Sequence, residues 1–345
     1  MRLEELERIA KRRRLDCLMV ECAASIRAFT GVSCDSAVLL LARTARGFAT
    51  RFYTDFRYVP MVHRVAPALK VCDIRRVGKA EASCRPARIG YEASIPHARF
   101  VARQKLFPRA KFVDVTKDIA AVRAVKTPEE IAALRAAERL DCEIWETARG
   151  RFRAGMTERQ MARVIQKLMI DRGDGEAFAT IVCVGKNAAE CHHEPDDTVW
   201  NGREPVLVDM GVKLNGVCSD LTRNICPAAY RGLYRKVYEL VLKANRAAIA
   251  AARPGITCRQ LDRVARDVIR EGGFGRCFGH SLGHGVGYEV HEAPTVSKRG
   301  DMVLKPGMVV TIEPGIYLEG NLGVRIEDLV LITETGCEVL SESLR

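Results

Sequence analysis

Asp209, Asp220, His284, Glu313 and Glu327 lie in segments whose turns and spacings could bring four carboxylates and one imidazole to a single point, an arrangement suited to holding two divalent metal ions. The first pair lies in VLVDMGVKLNGVCSD. There an apolar strand runs into Asn215-Gly216, a dipeptide that favours a type I′ hairpin turn because both positions tolerate positive φ. Centring the turn there puts Asp209 diagonally across from Asp220 on one sheet face, with Cβ atoms roughly 7–8 Å apart or less, within reach of a common ion. The second pair lies in MVVTIEPGIYLEGNLGVRIEDLVLI, where a turn at Gly320/Gly323 folds one β-branched run onto another and leaves Glu313 opposite Glu327. Four buried, unpaired carboxylates are strongly unfavourable, so acids placed this way require cations, and two divalent ions balance four negative charges.

His284 stands in HSLGHGVGYEVHEAP beside His280 and His291, so three of the chain's seven histidines fall in one short stretch. Mostly oxygen donors with one imidazole suit Mn²⁺, Co²⁺, Fe²⁺ or Zn²⁺ and argue against a thiolate-rich structural zinc. Ions bridged by such acids sit about 3.5–4 Å apart, and a water shared between them ionises near neutral pH to become a nucleophile. Taken singly, an Asp in a strand is more often an edge or turn residue, and a Gly-rich run with histidines is more often a loop. The co-occurrence, in order, of two acid-bearing hairpins and a His-Gly segment is what points to a site.

The elements that must position these residues are legible as well. Near residue 125, AVKTPEEIAALRAAERLDCEIWETA opens a long helix, with Thr127 as N-cap, Pro128 at the first helical position and Glu130 completing a capping box. An internal repeat follows, offset by 100 residues. GMTERQMARVIQKLMIDRG at 155–173 parallels GITCRQLDRVARDVIREGG at 255–273, sharing Gly155/Gly255, Thr157/Thr257, Arg159/Arg259, Gln160/Gln260, Arg163/Arg263 and Gly173/Gly273. Each copy reads as a helix stopped by glycine, and each is followed by an acid-bearing hairpin. Two halves related by a pseudo-twofold would set the hairpins side by side, which is how distant acids could share one pair of metals. Before the boundary, residues 3–14 read as a helix, with LDCLMV, SAVLLLA, GFATRFYT, LKVCDI and ARIGYE as strands separated by helical stretches, the alternation of a small α/β domain.

These segments resemble a known group. HSLGHGVGYEVHEAP, VDMGVKLNGVCSDLTRN and TIEPGIYLEGNLGVRIED look like the signatures of the pita-bread metallopeptidases, which include prolidase (Xaa-Pro dipeptidase), aminopeptidase P and methionine aminopeptidase; the likeness covers most of residues 125–345. It implies an α/β (α+β) architecture, with a creatinase-like α/β domain over residues 1–124 and a catalytic pita-bread domain over 125–345. It implies that Asp209, Asp220, His284, Glu313 and Glu327 hold the metals, Mn²⁺ or Co²⁺ first and Zn²⁺ or Fe²⁺ as alternatives. It also implies roles beyond the ligands. GKNAAECHHEPDD makes His192, rather than His193, a catalytic histidine, His291 matches the second, His280 a pocket histidine of the proline-specific members, and Arg325 an arginine that braces the last glutamate. Departures are local: Cys191 stands where relatives have Pro or a small apolar residue, and Arg203-Glu204 where they have Gly-Asp.

The reaction expected is hydrolysis of an Xaa-Pro bond at a peptide amino end, with Glu313 as general acid/base and ligand, and His291 and His192 stabilising the tetrahedral intermediate. A dipeptidase must also bind the product carboxylate, a task that Lys298 or Arg299, just beyond HEAPTV, could perform. The alternatives are a methionine-type aminopeptidase, made less fitting by the N-terminal domain and the His280/His284 spacing, and a metal-free binding module, made less fitting by the complete acid set. The same resemblance implies a homodimer.

Composition sets the remaining bounds. A chain of 345 residues, 48% apolar, supports two domains, and no run of some 18 apolar residues suggests a membrane span. The amino end reads as a first helix and strand rather than a secretory signal. Thirteen scattered cysteines with no C-x-x-C pair favour a reducing cytoplasm. Residues 1–126 carry 26 Lys+Arg against 12 Asp+Glu, and residues 127–345 carry 29 against 31. The excess is spread as arginine through the domain, with KRRR at 11–14 the one run, which argues against a nucleic-acid partner.

Overall fold

A computed structural model of the chain describes residues 1–83, 85–227 and 231–341. It divides into two compact units, Met1–Arg123 and Ala124–Arg345. In the first, a six-stranded sheet runs in the spatial order Val71–Asp73, Gly47–Thr54, Ala37–Thr44, Cys17–Val20, Arg88–Tyr91, Lys111–Asp114. Cys17–Val20 pairs parallel with Arg88–Tyr91 and antiparallel with Ala37–Thr44. The helix Leu3–Arg12 buries Leu6, Ile9 and Ala10, while its acids stand in the first turn and its bases in the last, where each suits the helix dipole. Much of the basic surplus is paired: Arg12 and Arg13 of the KRRR run both bond Asp118, and Arg103 forks onto Glu21.

In the second unit the long helix spans Pro128–Arg149 with the Thr127/Glu130 capping box in place. The repeat is equally plain. Glu158–Arg172 and Cys258–Glu271 are both helices opened by capping boxes, Thr157 with Gln160 and Thr257 with Gln260. Their entries match too, since the Gly155 amide bonds the Trp200 carbonyl at 2.8 Å and the Gly255 amide bonds the Leu304 carbonyl at 3.0 Å. The correspondence runs on through Gly175/Gly275 to Phe178/Phe278. Each half has its own apolar core, one around Trp145, Met161, Ile165 and Val208, the other around Val241, Leu261, Ile269 and Val310.

Two sheets carry the acids. One is ordered Leu221–Ile225, Val206–Met210, Ile181–Val184; the other is ordered Glu292–Val296, Gly283–Gly285, Val309–Ile312, Asp328–Ile332, Cys337–Val339. No helix among the described residues is long and apolar enough to cross a membrane. The cysteines described are all free, and Cys84 lies outside the described residues.

Candidate metal centre and peptide pocket

Both acid-bearing hairpins keep the register that their turns dictate. Asn215 and Gly216 take φ of 49° and 65° at the tip of the first, and Asp209 pairs with Thr222, which leaves Asp220 at the diagonal position. In the second, Val309–Ile312 pairs with Asp328–Ile332 and Gly315–Leu318 with Leu322–Arg325 in one continuous register that sets Glu313 opposite Glu327. One detail differs from the sequence reading. The turn is Glu319–Asn321 around Gly320, and Gly323 is a strand residue instead. It is glycine because a Cβ there would lie 1.7 Å from the Ala188 carbonyl oxygen, so its strand presses against the turn Gly185–Ala189 that precedes the His192 segment.

Hydrogen bonds join the two hairpins. The Glu327 amide bonds the Thr222 carbonyl at 3.3 Å, and the Thr222 hydroxyl donates to Glu327 Oε2 at 2.6 Å. Behind them the buried Arg223 donates to the Thr222 and Glu327 carbonyls and pairs with Asp328. The third segment enters as the short strand Gly283–Gly285. The His284 amide bonds Thr311 Oγ1 at 3.0 Å, and that hydroxyl donates to Glu313 Oε1 at 3.1 Å. His284 Nδ1 donates to the Gly285 carbonyl at 3.2 Å, which turns Nε2 toward the acids, 3.3 Å from Glu313 and 3.5 Å from Asp220. One donor atom each from Asp220, His284 and Glu327 lie within 4.8 Å of one another.

The electrostatics of this cluster are those of a site short of positive charge. Burial, followed by repulsion from Glu327, holds Asp220 well above the usual carboxylate range. Glu327 is likewise raised by burial and by Glu313, and Asp209 is raised by burial despite the opposing charge of Arg325. Burial would also raise Glu313, but the hydrogen bond and charge of His284 hold it below its ordinary value, and His284 is raised in return. Acids raised in this way ionise more readily beside a cation. Asp209 Oδ1 is buried without a hydrogen-bond partner among the described residues. An orphaned carboxylate oxygen, three further acids and an imidazole nitrogen held by its second-position hydrogen bond form a donor set that fits hard to borderline divalent ions.

A cavity of about 680 Å³ opens over the cluster, and His192, His280, His291, Arg325, Phe178 and Ile181 are on its wall. His192 faces this cavity, whereas its neighbour His193 turns away into Glu158, Asn187 and Glu190, with Nε2 2.8 Å from Glu158. His291 packs edge-on to His284 with ring centroids 4.4 Å apart, and burial together with the His284 charge lowers its pKa. His280 donates from Nδ1 to the Ser281 carbonyl and accepts at Nε2 from the Tyr317 hydroxyl at 3.0 Å; burial lowers its pKa, keeping the ring neutral.

Two expectations need correction. Arg325 braces Asp209 (2.5 Å), Tyr317 (2.7 Å), Thr222 (3.1 Å) and the Cys191 carbonyl (3.3 Å) rather than Glu327, because the Thr222 hydroxyl already serves Glu327 and Asp209 is left without another cation. Arg299 and Lys298 are not on the wall of this cavity. The turn after Glu292–Val296, pinned by the Gly300 amide on Ser297 and the Arg259 amide on Gly300, carries both of them to the start of the helix Cys258–Glu271. Sequence reasoning missed Tyr317, Thr222, Thr311 and the buried Glu138 and Asp141. Glu138, whose carboxyl burial pushes up to about 7, accepts from the Asp220 amide, and Asp141 accepts from Ser219. Their placement within an otherwise apolar helix face was the one signal available.

With this geometry in view, comparison with known proteins is specific. Residues 132–334 match the family described as Metallopeptidase family M24, and residues 2–125 match the Creatinase/Prolidase N-terminal domain. An Xaa-Pro dipeptidase of Pyrococcus furiosus is 44% identical over 192 residues, 55% of this chain and 55% of that protein; the matched region thus spans about half the length of such curated relatives. Among solved structures, an Xaa-Pro dipeptidase from Bacillus anthracis superposes with a TM-score of 0.93 at 30% identity, covering 100% of this chain and 99% of the other. An X-Pro aminopeptidase from Thermotoga maritima gives 0.87 at 31% identity, covering 98% of each.

Proposed function

We propose that this chain, which belongs to metallopeptidase family M24, hydrolyses Xaa-Pro bonds at the amino end of peptides, using two divalent ions held by Asp209, Asp220, His284, Glu313 and Glu327. The observation that carries the reading is the buried acid cluster itself, four carboxylates facing one imidazole and one arginine, with an oxygen of Asp209 unpartnered among the described residues. When bound, such ions would supply an ionised water and polarise the scissile carbonyl.

The chain's own residues account for the rest. Glu313, kept ionised by His284 and fixed by the Thr311 hydroxyl, takes a proton and passes it toward the leaving nitrogen. His291 and His192 stand on the cavity wall, where their ring N–H groups can meet the developing oxyanion and the peptide backbone. His280 is held by Tyr317, which Arg325 holds in turn, so a neutral ring faces the peptide. Mn²⁺ or Co²⁺ is the metal we favour, on the oxygen-rich donor set. The resemblance to dimeric relatives supports a homodimer, and the scattered free thiols support a cytoplasmic setting.

Substrate length divides the reading. The name of the 44% identical relative supports a dipeptidase. The cavity wall supports longer peptides, since Arg325 is the one arginine or lysine on it among the described residues and its nitrogens are already engaged, leaving none for a dipeptide carboxylate. The test is hydrolysis of Ala-Pro against Ala-Pro-Ala after chelation and re-addition of Mn²⁺, Co²⁺ or Zn²⁺. Metal-dependent cleavage of either supports the activity, and the faster one assigns the type. Cleavage of neither, or equal cleavage of Ala-Ala-Ala, sinks it.

A further inference from the structure

A second cavity, of about 710 Å³, lies beside the helix Cys258–Glu271 and has no part in the reading above. Its wall carries Arg259, Arg263, Arg266, Arg270, Arg276 and Lys298, against the two acids Asp262 and Asp267. Both acids are taken: Asp262 receives two bonds from Arg266, and Asp267 pairs with Arg270 at 2.8 Å; Arg259 pairs with Asp301, beyond the wall. Among the described residues, Arg263, Arg276 and Lys298 form no ion pair. Arg259, Arg263, Arg266 and Arg270 follow one another at four-, three- and four-residue steps. They therefore line one helix face over about 16 Å.

The internal repeat provides a control for whether the scaffold itself needs this charge. At the equivalent positions of the first copy, Arg266, Arg270 and Arg276 are Gln166, Ile170 and Glu176, the first two on a helix with the same cap and glycine pattern. The fold is thus built without them, and these three charges, unlike Arg259 and Arg263, are particular to the second copy. Like-charged guanidinium groups crowded into a concavity repel one another and gain by sharing a multiply charged anion, for which their planar donor forks are suited. The size is that of a small-molecule site, which favours a compact anion over a nucleic-acid duplex.

We propose that this groove binds an oligophosphate, either free or as the phosphate chain of a nucleotide. Arg266 links it to the catalytic cavity, because its guanidinium also donates to the Phe278 carbonyl at 2.8 Å and the His280 carbonyl at 2.9 Å, the backbone that carries a pocket histidine.

The test is calorimetric titration of the metal-loaded full chain with sodium tripolyphosphate, ATP and inorganic phosphate at two salt concentrations. The wild type is compared with the groove pair Arg263→Glu/Arg276→Glu and with Arg159→Glu/Arg163→Glu, a charge-matched pair on the first copy. Expected are one tripolyphosphate per chain, weakening with salt, an affinity loss of about tenfold or more in the groove pair, and little change in the control pair. Arg263→Gln/Arg276→Gln should fall between, which guards against a folding defect. ATP binding more tightly than tripolyphosphate assigns the anion to a nucleotide; equal affinity assigns it to the phosphate chain. Absence of binding, equal loss in both pairs (diffuse charge), or heat that persists undiminished in the groove pair (chelation of the catalytic ions) overturns the proposal.

Discussion

Replacing Arg325 with methionine removes the one arginine among the acids while keeping most of the buried volume. The side chain is 3% exposed and donates to Asp209, Tyr317, Thr222 and the Cys191 carbonyl, so the substitution leaves one carboxylate without its counter-ion and the Tyr317 phenol with His280 alone. Hydrogen bonds that involve a charged group contribute about 1.5–3 kcal/mol each. Asp209 can relieve part of the loss by taking up a proton, and methionine restores apolar contact. The net cost should therefore approach that of breaking a buried ion pair, about 3–5 kcal/mol. For a unit of this size that corresponds to roughly 6–20 °C in Tm. Trp145 and Trp200, the chain's two tryptophans, both lie in the catalytic unit, so urea unfolding followed by their fluorescence reports on that unit. In chelator the full loss is expected; with saturating Mn²⁺ it should shrink, because bound ions would compensate Asp209 instead. Arg325→Lys should recover less than half, since one ammonium cannot reach all four partners. A loss below about 1 kcal/mol in chelator, or the same loss with and without metal, would refute the view that the guanidinium compensates the acid cluster.

Two further outcomes follow from the same electrostatics and packing. Asp220 has a folded pKa above its unfolded value, so its contribution is most favourable below the unfolded carboxylate pKa and is lost as pH rises through the folded one. Asp220→Asn should therefore stabilise the metal-free protein more at pH 8 than at pH 5 in paired urea titrations, while weakening metal binding; stabilisation that is flat with pH contradicts this. Gly323→Ala forces a Cβ against the Ala188 carbonyl, and overpacking of this kind costs about 1–3 kcal/mol. Because the displaced turn leads to His192, the variant should lose kcat/KM as well as Tm; a variant with wild-type values for both would show that the strand does not hold this turn.

What the sequence revealed was local or periodic. Asn215-Gly216 set a hairpin register, and register alone put Asp220 diagonal to Asp209 and Glu313 opposite Glu327. The capping box at Thr127 marked one helix start, because cap and partner are three residues apart, and apolar spacing with a glycine stop marked the two repeat helices, whose own capping boxes at Thr157 and Thr257 the structure added. Gly320 and Gly323 looked alike in sequence, yet one turns the chain and the other admits a neighbouring backbone 135 residues away at Ala188. The partners of Arg325 and Arg223 were out of reach for the same reason, since both bridge strands about 100 residues apart. Lys298 and Arg299 misled because closeness in sequence to His291 does not survive the intervening strand and turn. The choice of His192 over His193 came from family resemblance; locally the two differ only in what Glu158, 35 residues away, can reach.

The central claim is that one pair of divalent ions occupies the acid cluster, and metal stoichiometry tests it most directly. After chelation, equilibrium dialysis against Mn²⁺ or Co²⁺ and elemental analysis should return two ions per wild-type chain, with Asp220→Asn and Glu327→Gln each lowering the count and the hydrolytic rate together. A wild-type protein that cleaves Xaa-Pro peptides with no bound metal, or a double variant that still retains two ions, would contradict it.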